Sequence, residues 1–200
     1  MFRGLRRLLA LFFVVATAAF LAAPSAQAAA DPGKLIEQLI AEISDIARTK
    51  TGADRQTAMR QVVQDKFDLA SVGRAALGTY WDQASEQQRA RFLAAVEASE
   101  ARAYSERLGR HAGYSVTIIQ VKPRAEGSWL VASRLNQQGG SPIAVEWEVH
   151  QSERGLRVGD VRVEGISLAL IMRTDYSAVI LANAGQVEPL VRKLEARANR

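Results

Sequence analysis

Gly165-Ile166-Ser167-Leu168-Ala169 has the G-x-S-x-[GA] spacing of a nucleophile elbow, at a strand-to-helix turn where such a serine would sit. That chemistry needs an acid and then a histidine further along the chain, on a parallel sheet. Both histidines, His111 and His150, precede Ser167, and no parallel sheet is expected. Ser167 therefore reads as a helix N-cap, whose hydroxyl accepts from the first free N–H groups of the helix.

The other candidates are weaker. Glu146 and Glu148 lie two apart on an alternating segment, so they share a strand face. Paired carboxylates can perform acid–base work on sugars, but these read as a solubilising surface. His150 falls on the same polar face and reads as a solvated surface histidine. His111 follows Arg110 near a helix end, where the helix dipole favours it. With no cysteine and only two histidines, the chain is poor in the nitrogen and sulfur donors of a transition-metal site, and none is expected. No phosphate-cradling glycine loop occurs.

These residues must be positioned by elements whose patterns are readable. Asp31-Pro32 is an N-cap followed by a tolerated first-turn proline. Leu35, Ile36, Leu39, Ile40, Ile43, Ile46 and Ala47 then follow helical spacing. A second helix runs from about Ala53 to Asp65, and Asp68 caps a third over Leu69 to Leu77, stopped by Gly78. Ser85 and Gln88 form a capping box. The helix beyond it turns Phe92, Leu93, Val96, Ala103, Tyr104 and Leu108 inward and ends at Gly109 or Gly113. The period then changes to two. SVTIIQVKP, SWLVASRLN, SPIAVEWEVH and LRVGDVRVEG read as strands, the last with a phase shift and a bulge at Gly159-Asp160. Ile143, Val145, Trp147 and Val149 face one way, so the sheet has one dry side. A helix after Ser167 and a last one carrying Val187, Leu190, Val191 and Leu194 complete an α+β chain. Helices are expected on one face of a twisted antiparallel sheet of about four strands.

The first 28 residues have the three parts of a secretory signal: Arg3, Arg6 and Arg7, an apolar stretch from Leu8 to Ala23, and Ala26-Gln27-Ala28 for cleavage. Cleavage would leave residues 29–200 as a single domain. It would also reduce the formal charge from +5 to +2, because three arginines and no acids depart. No basic run interleaved with aromatics is present, which argues against nucleic-acid binding. No later stretch reaches the ~20 apolar residues of a membrane span. Leu168 to Met172 is nonetheless too apolar for one face of an ordinary surface helix.

FDLASVGRAALGTYWDQASEQQRARF (67–92), Tyr104, YSV (114–116), VGDVRVEGISLALIMRTDYSAVI (158–180) and VEPLVRKLEAR resemble the MlaC, or toluene-tolerance, family in order and spacing. Ile171 and Met172 replace the Asn and aromatic that many members carry before the arginine, and Tyr176 replaces the usual Phe. The chain also resembles a subgroup associated with hopanoid metabolism, for which a polycyclic lipid is the alternative cargo. The resemblance implies a monomeric periplasmic phospholipid carrier without catalysis or a cofactor. It implies an inner-membrane ABC transporter with a MlaD-type subunit and an outer-membrane MlaA-type lipoprotein as partners. It implies an apolar pocket between helices and sheet, for which the candidates are Val116, Ile118, Val131, Val145, Trp147, Val161 and Val163 on strands. Phe92, Val96, Tyr104, Leu168, Ile171, Met172 and Tyr176 are the candidates on helices. Arg173 is expected in an exposed ion pair. A non-carrier periplasmic adaptor with a filled core is the competing reading.

Overall fold

The computed structural model describes residues 31–108, 115–136 and 140–198. The expected signal segment and cleavage site, His111, Tyr114 and the expected end of the long helix at Gly109 or Gly113 lie outside the described residues.

Asp31 caps α1 (Pro32–Thr49), its carboxylate accepting from the Lys34 N–H at 3.1 Å. The apolar stripe set by the i, i+3, i+4 spacing buries Ile36, Leu39, Ile40 and Ile46, and the helix lies against the first two strands. α2 (Gly52–Lys66) buries Met59, Val62 and Val63. Asp68 caps α3 (Leu69–Leu77), which ends at Gly78 with φ 55°. A one-turn helix, α4 (Tyr80–Gln83), precedes α5 (Glu86–Leu108). The capping box forms as expected: the Ser85 N–H donates to Gln88 Oε1 at 3.0 Å, and the Gln88 N–H donates to Ser85 Oγ at 3.2 Å.

The sheet is antiparallel in sequence order: β1 (Ser115–Pro123), β2 (Ser128–Asn136), β3 (Ile143–Ser152), β4 (Gly155–Val163) and β5 (Ile166–Ser167). There are five strands, not four. β5 is two residues long, too short to show any period. It pairs across the tight turn at Glu164-Gly165, with Ile166 opposite Val163 and Ser167 opposite Arg162. The expected phase shift in β4 is a bulge: Glu148 pairs with Asp160 and Val149 with Val158, leaving Gly159 unopposed. Ser167 caps α6 (Leu168–Ala182), accepting from the Leu170 N–H at 3.1 Å. α7 is Glu188–Ala198.

The apolar residues form two cores. In the sheet core, Val131, Val145, Trp147, Val149 and Val158 pack under α1 and α2. One polar group is buried here without penalty. The Trp147 indole N–H donates to Ser133 Oγ at 2.8 Å, and that hydroxyl donates to the Val145 carbonyl at 3.0 Å. In the helical core, Phe92, Leu77, Ile180, Leu190 and Val191 join α3, α5, α6 and α7. Helices approach closely there. A Cβ on Gly73 would lie 2.4 Å from Leu93 Cδ2 and 3.3 Å from both Phe92 and Trp81. α5 serves both cores: Phe92 and Val96 belong to the helical one, Ala101 and Tyr104 to the sheet one.

Candidate functional site

At the seam of the two cores lies an apolar cavity of about 60 Å³. Val63 of α2, Phe67 of the α2–α3 turn, and Leu69 and Val72 of α3 form one side. Val96, Glu100 and Tyr104 of α5, Asp160 and Val161 of β4, and Leu168, Ala169 and Met172 of α6 complete it. Local sequence explains each contribution. Leu69 and Val72 are three apart, and Val96, Glu100 and Tyr104 four apart, so each set shares a helix face. The Gly159 bulge shifts the facing of the two strand halves, so that Val158 enters the sheet core while Asp160 and Val161 border the cavity.

Val96, Tyr104, Val161, Leu168 and Met172 of the predicted pocket residues therefore border the cavity. The others lie elsewhere. Val131, Val145 and Trp147 are buried in the sheet core, and Val116 and Ile118 pack against it, partly buried. Val163 is half-buried beside Val145. Phe92 and Tyr176 meet edge-to-face in the helical core, ring centroids 5.7 Å apart. Ile171 is 45 % exposed, and Leu170 (58 %) and Ile166 (59 %) are exposed as well. The first turns of α6 thus carry apolar side chains on the cavity side and on the outer side alike. Sequence reasoning missed Val63, Phe67, Leu69, Val72, Glu100, Asp160 and Ala169. The helical spacing of the α3 and α5 residues was a signal of facing, but not of which core they would face.

Two expectations about charged groups change. His150 is not a solvated surface residue. Its Nε2 lies 2.7 Å from Asp68 Oδ2, and its side chain is 22 % exposed. Its ring sits over Gly159, where a Cβ would come within 2.8 Å of it. Burial pushes the Asp68 carboxyl up, but the Ser71 N–H, His150 and the Ser71 hydroxyl stabilise its charge, so it is held below the ordinary carboxylate value. This pair ties the N-cap of α3 to β3, adjoining Phe67 and Leu69 of the cavity wall. Arg173 makes no ion pair among the described residues. Its guanidinium instead covers Gly78, where a Cβ would lie 2.5 Å from Nε. Glu148 sits 3.4 Å from Arg162, and the same guanidinium lies 3.7 Å from Asp160. Burial, then the charge of Glu100, drives the Tyr176 phenol well above its ordinary value, so it stays neutral. Among the described residues no cluster of His, Asp or Glu could hold a metal ion, and no helix is long and apolar enough to cross a membrane.

An antiparallel sheet with helices packed on it, and an apolar cavity between its cores, places the chain among small α+β proteins. The particular family follows from its sequence: the MlaC protein model matches residues 33–196, and the chain belongs to that family. Among solved structures it is similar to a phospholipid-binding protein from Ralstonia solanacearum, determined in complex with a phospholipid. The identity is 21 % and the TM-score 0.70, covering 85 % of this chain and 98 % of that one. Comparison with curated proteins gives no match.

Proposed function

We propose that this protein is a periplasmic lipid carrier that takes phospholipid acyl tails into the cavity between its two cores. It shuttles lipid between the outer and inner membranes, working with an MlaA-type lipoprotein and an ABC transporter that has a MlaD-type subunit. Membership of the MlaC family and the likeness to a phospholipid-binding neighbour support this reading. The observation that carries it is the position of the cavity. It lies where two separately packed cores meet, so it can enlarge by their parting without either core being dismantled.

Enlargement is required. At about 60 Å³ the cavity is smaller than the ~150 Å³ that accommodates a benzene ring. Two acyl tails do not fit the cavity at this volume. Loading requires α6 and α3 to move relative to the sheet, with Leu168 and Met172 exchanging protein contacts for lipid contacts. Methionine suits that exchange, being unbranched and polarizable.

The energetics explain why a carrier is needed and why its site need not be deep. Each methylene kept out of water is stabilised by about 0.8 kcal/mol. Two long tails with on the order of 30 methylenes would thus cost roughly 24 kcal/mol in water. That exceeds the roughly 18–21 kcal/mol at which non-covalent affinity saturates. The relevant exchange is instead between a bilayer and a dry cavity, which is near neutral, so partners set the direction of transport.

The test is native mass spectrometry of protein purified without detergent, with solvent extraction of whatever is bound. We expect a lipid adduct in the wild type and its loss in Leu168→Asp, which places a charge on the cavity wall. A bare chain mass in the wild type, even after incubation with phospholipid vesicles, would defeat the reading.

A further inference from the structure

A surface helix ordinarily turns charged residues to water, and the outer side of α6 does not. Leu170, Ile171, Thr174, Ala178 and Leu181 are all exposed, Leu181 by 67 %. At about 100° per residue these five positions fall within an arc of about 100°. They form one uncharged face along the helix. Arg173 and Asp175 are exposed too, but they lie on opposite margins of that arc. Ile166 adds another exposed apolar side chain just before the helix begins.

The margin on the Arg173 side is basic. The Arg173 guanidinium covers Gly78, whose carbonyl accepts from the Trp81 N–H at 3.0 Å. The guanidiniums of Arg74 and Arg89 lie 5.7 and 5.3 Å from the centre of the Trp81 ring. Arg89 also donates to the Trp81 and Asp82 carbonyls. None of these three arginines forms an ion pair among the described residues. The acids nearest in sequence to Trp81, Asp82 and Glu86, are exposed and pair with none of them. Three guanidiniums therefore gather at the corner from Gly78 to Trp81, beside an apolar face.

Size and charge together identify the occupant. A helix of 15 residues is about 22 Å long and about 10 Å wide, so its outer face offers about 220 Å². A stable protein complex needs about 800 Å² from each partner. The face is too small to hold a second copy or another protein by itself. A bilayer asks for no such area and no matching shape. A helix lying in its surface sinks its apolar face among the lipids, and flanking arginines meet anionic head groups. We propose that the outer face of α6, with the arginine corner beside it, docks this protein on an anionic phospholipid bilayer. The same first turns line the cavity with Leu168, Ala169 and Met172, so docking brings the cavity up to the lipid. That consequence rests on the carrier reading; the docking itself does not.

The experiment is sedimentation of the purified protein with vesicles at low salt. One set holds phosphatidylcholine and phosphatidylglycerol in equal parts, the other phosphatidylcholine alone. The wild type should bind the mixed vesicles more tightly, and added salt should weaken that binding. Leu170→Glu should weaken it about tenfold, and Arg173→Gln about fivefold. Thermal unfolding checks that the variants are folded, and Ile171→Glu and Arg74→Gln repeat the test on the same face and corner. No binding to the mixed vesicles overturns the inference. Equal binding to both sets does so too, as does binding that Leu170→Glu or Arg173→Gln leaves unchanged. A dimer in sedimentation equilibrium that Leu170→Glu abolishes would give the face to a second copy and also overturn it. The native mass spectrum decides the carrier reading separately. A lipid adduct without vesicle binding sinks the docking alone, and vesicle binding without an adduct sinks the carrier reading alone.

Discussion

The sheet core and the helical core bury similar side chains by different means. In the sheet core the backbone sets the spacing. Val131 lies opposite Trp147, and Trp147 opposite Val161, because the ladder requires it, and α1 need only lay one apolar stripe across the result. In the helical core no ladder exists, and the distance between α3 and α5 is set by the absence of a side chain at Gly73. Its pieces also come from far apart in sequence. Arg91 of α5 donates to Glu188 and Glu195 of α7 at 2.7–2.9 Å, and this pairing holds both carboxyls below their ordinary range. A core specified by a ladder tolerates local change. A core specified by side-chain fit does not, and the cavity lies on the border between them.

Four measurements would break or sharpen that contrast. Phe92→Ala empties the centre of the helical core, where the side chain is fully buried. It should cost about 3–5 kcal/mol in urea unfolding. Because α5 runs through both cores, fluorescence of Trp81 in the helical core and Trp147 in the sheet core should report one midpoint; separated midpoints would mean the cores fold independently. Gly73→Ala should cost about 1–3 kcal/mol by overpacking against Leu93 and Phe92, despite the better helix propensity of alanine. A neutral or stabilising result would show that Leu93 can give way and that fit is not what sets the α3–α5 distance. Trp147→Phe keeps most of the apolar bulk, loses the hydrogen bond to Ser133 and should cost about 1 kcal/mol, the smallest of the three core changes.

The smallest effect concerns the His150–Asp68 tie between α3 and β3. Asp68 has a folded-state value below its ordinary 3.8. Its contribution is therefore fully present above the ordinary carboxylate value and lost as pH falls through the folded one. Below about pH 5 the stability gap between wild type and Asp68→Asn, followed by thermal unfolding, should close as the pH approaches about 2. A gap that widens over that range would contradict the depressed carboxyl.

Sequence patterns alone settled the local matters. Asp31, Asp68, Ser85 and Ser167 each cap the helix expected of them, because a cap needs a side-chain oxygen within a few residues of free N–H groups. The strands and the Gly159 bulge were visible because the side-chain period of a strand is short enough to read over eight residues. β5 was not, being two residues long, and neither was the bond from His150 to Asp68, which spans 82 positions. The surplus of apolar helix faces was also plain in the sequence, but its destination was not. Most of it went into a second core. Which residues border the seam depended on how α3, α5 and α6 come together, and that is decided by packing between segments distant in the chain, about which a pattern of nearest neighbours carries no information.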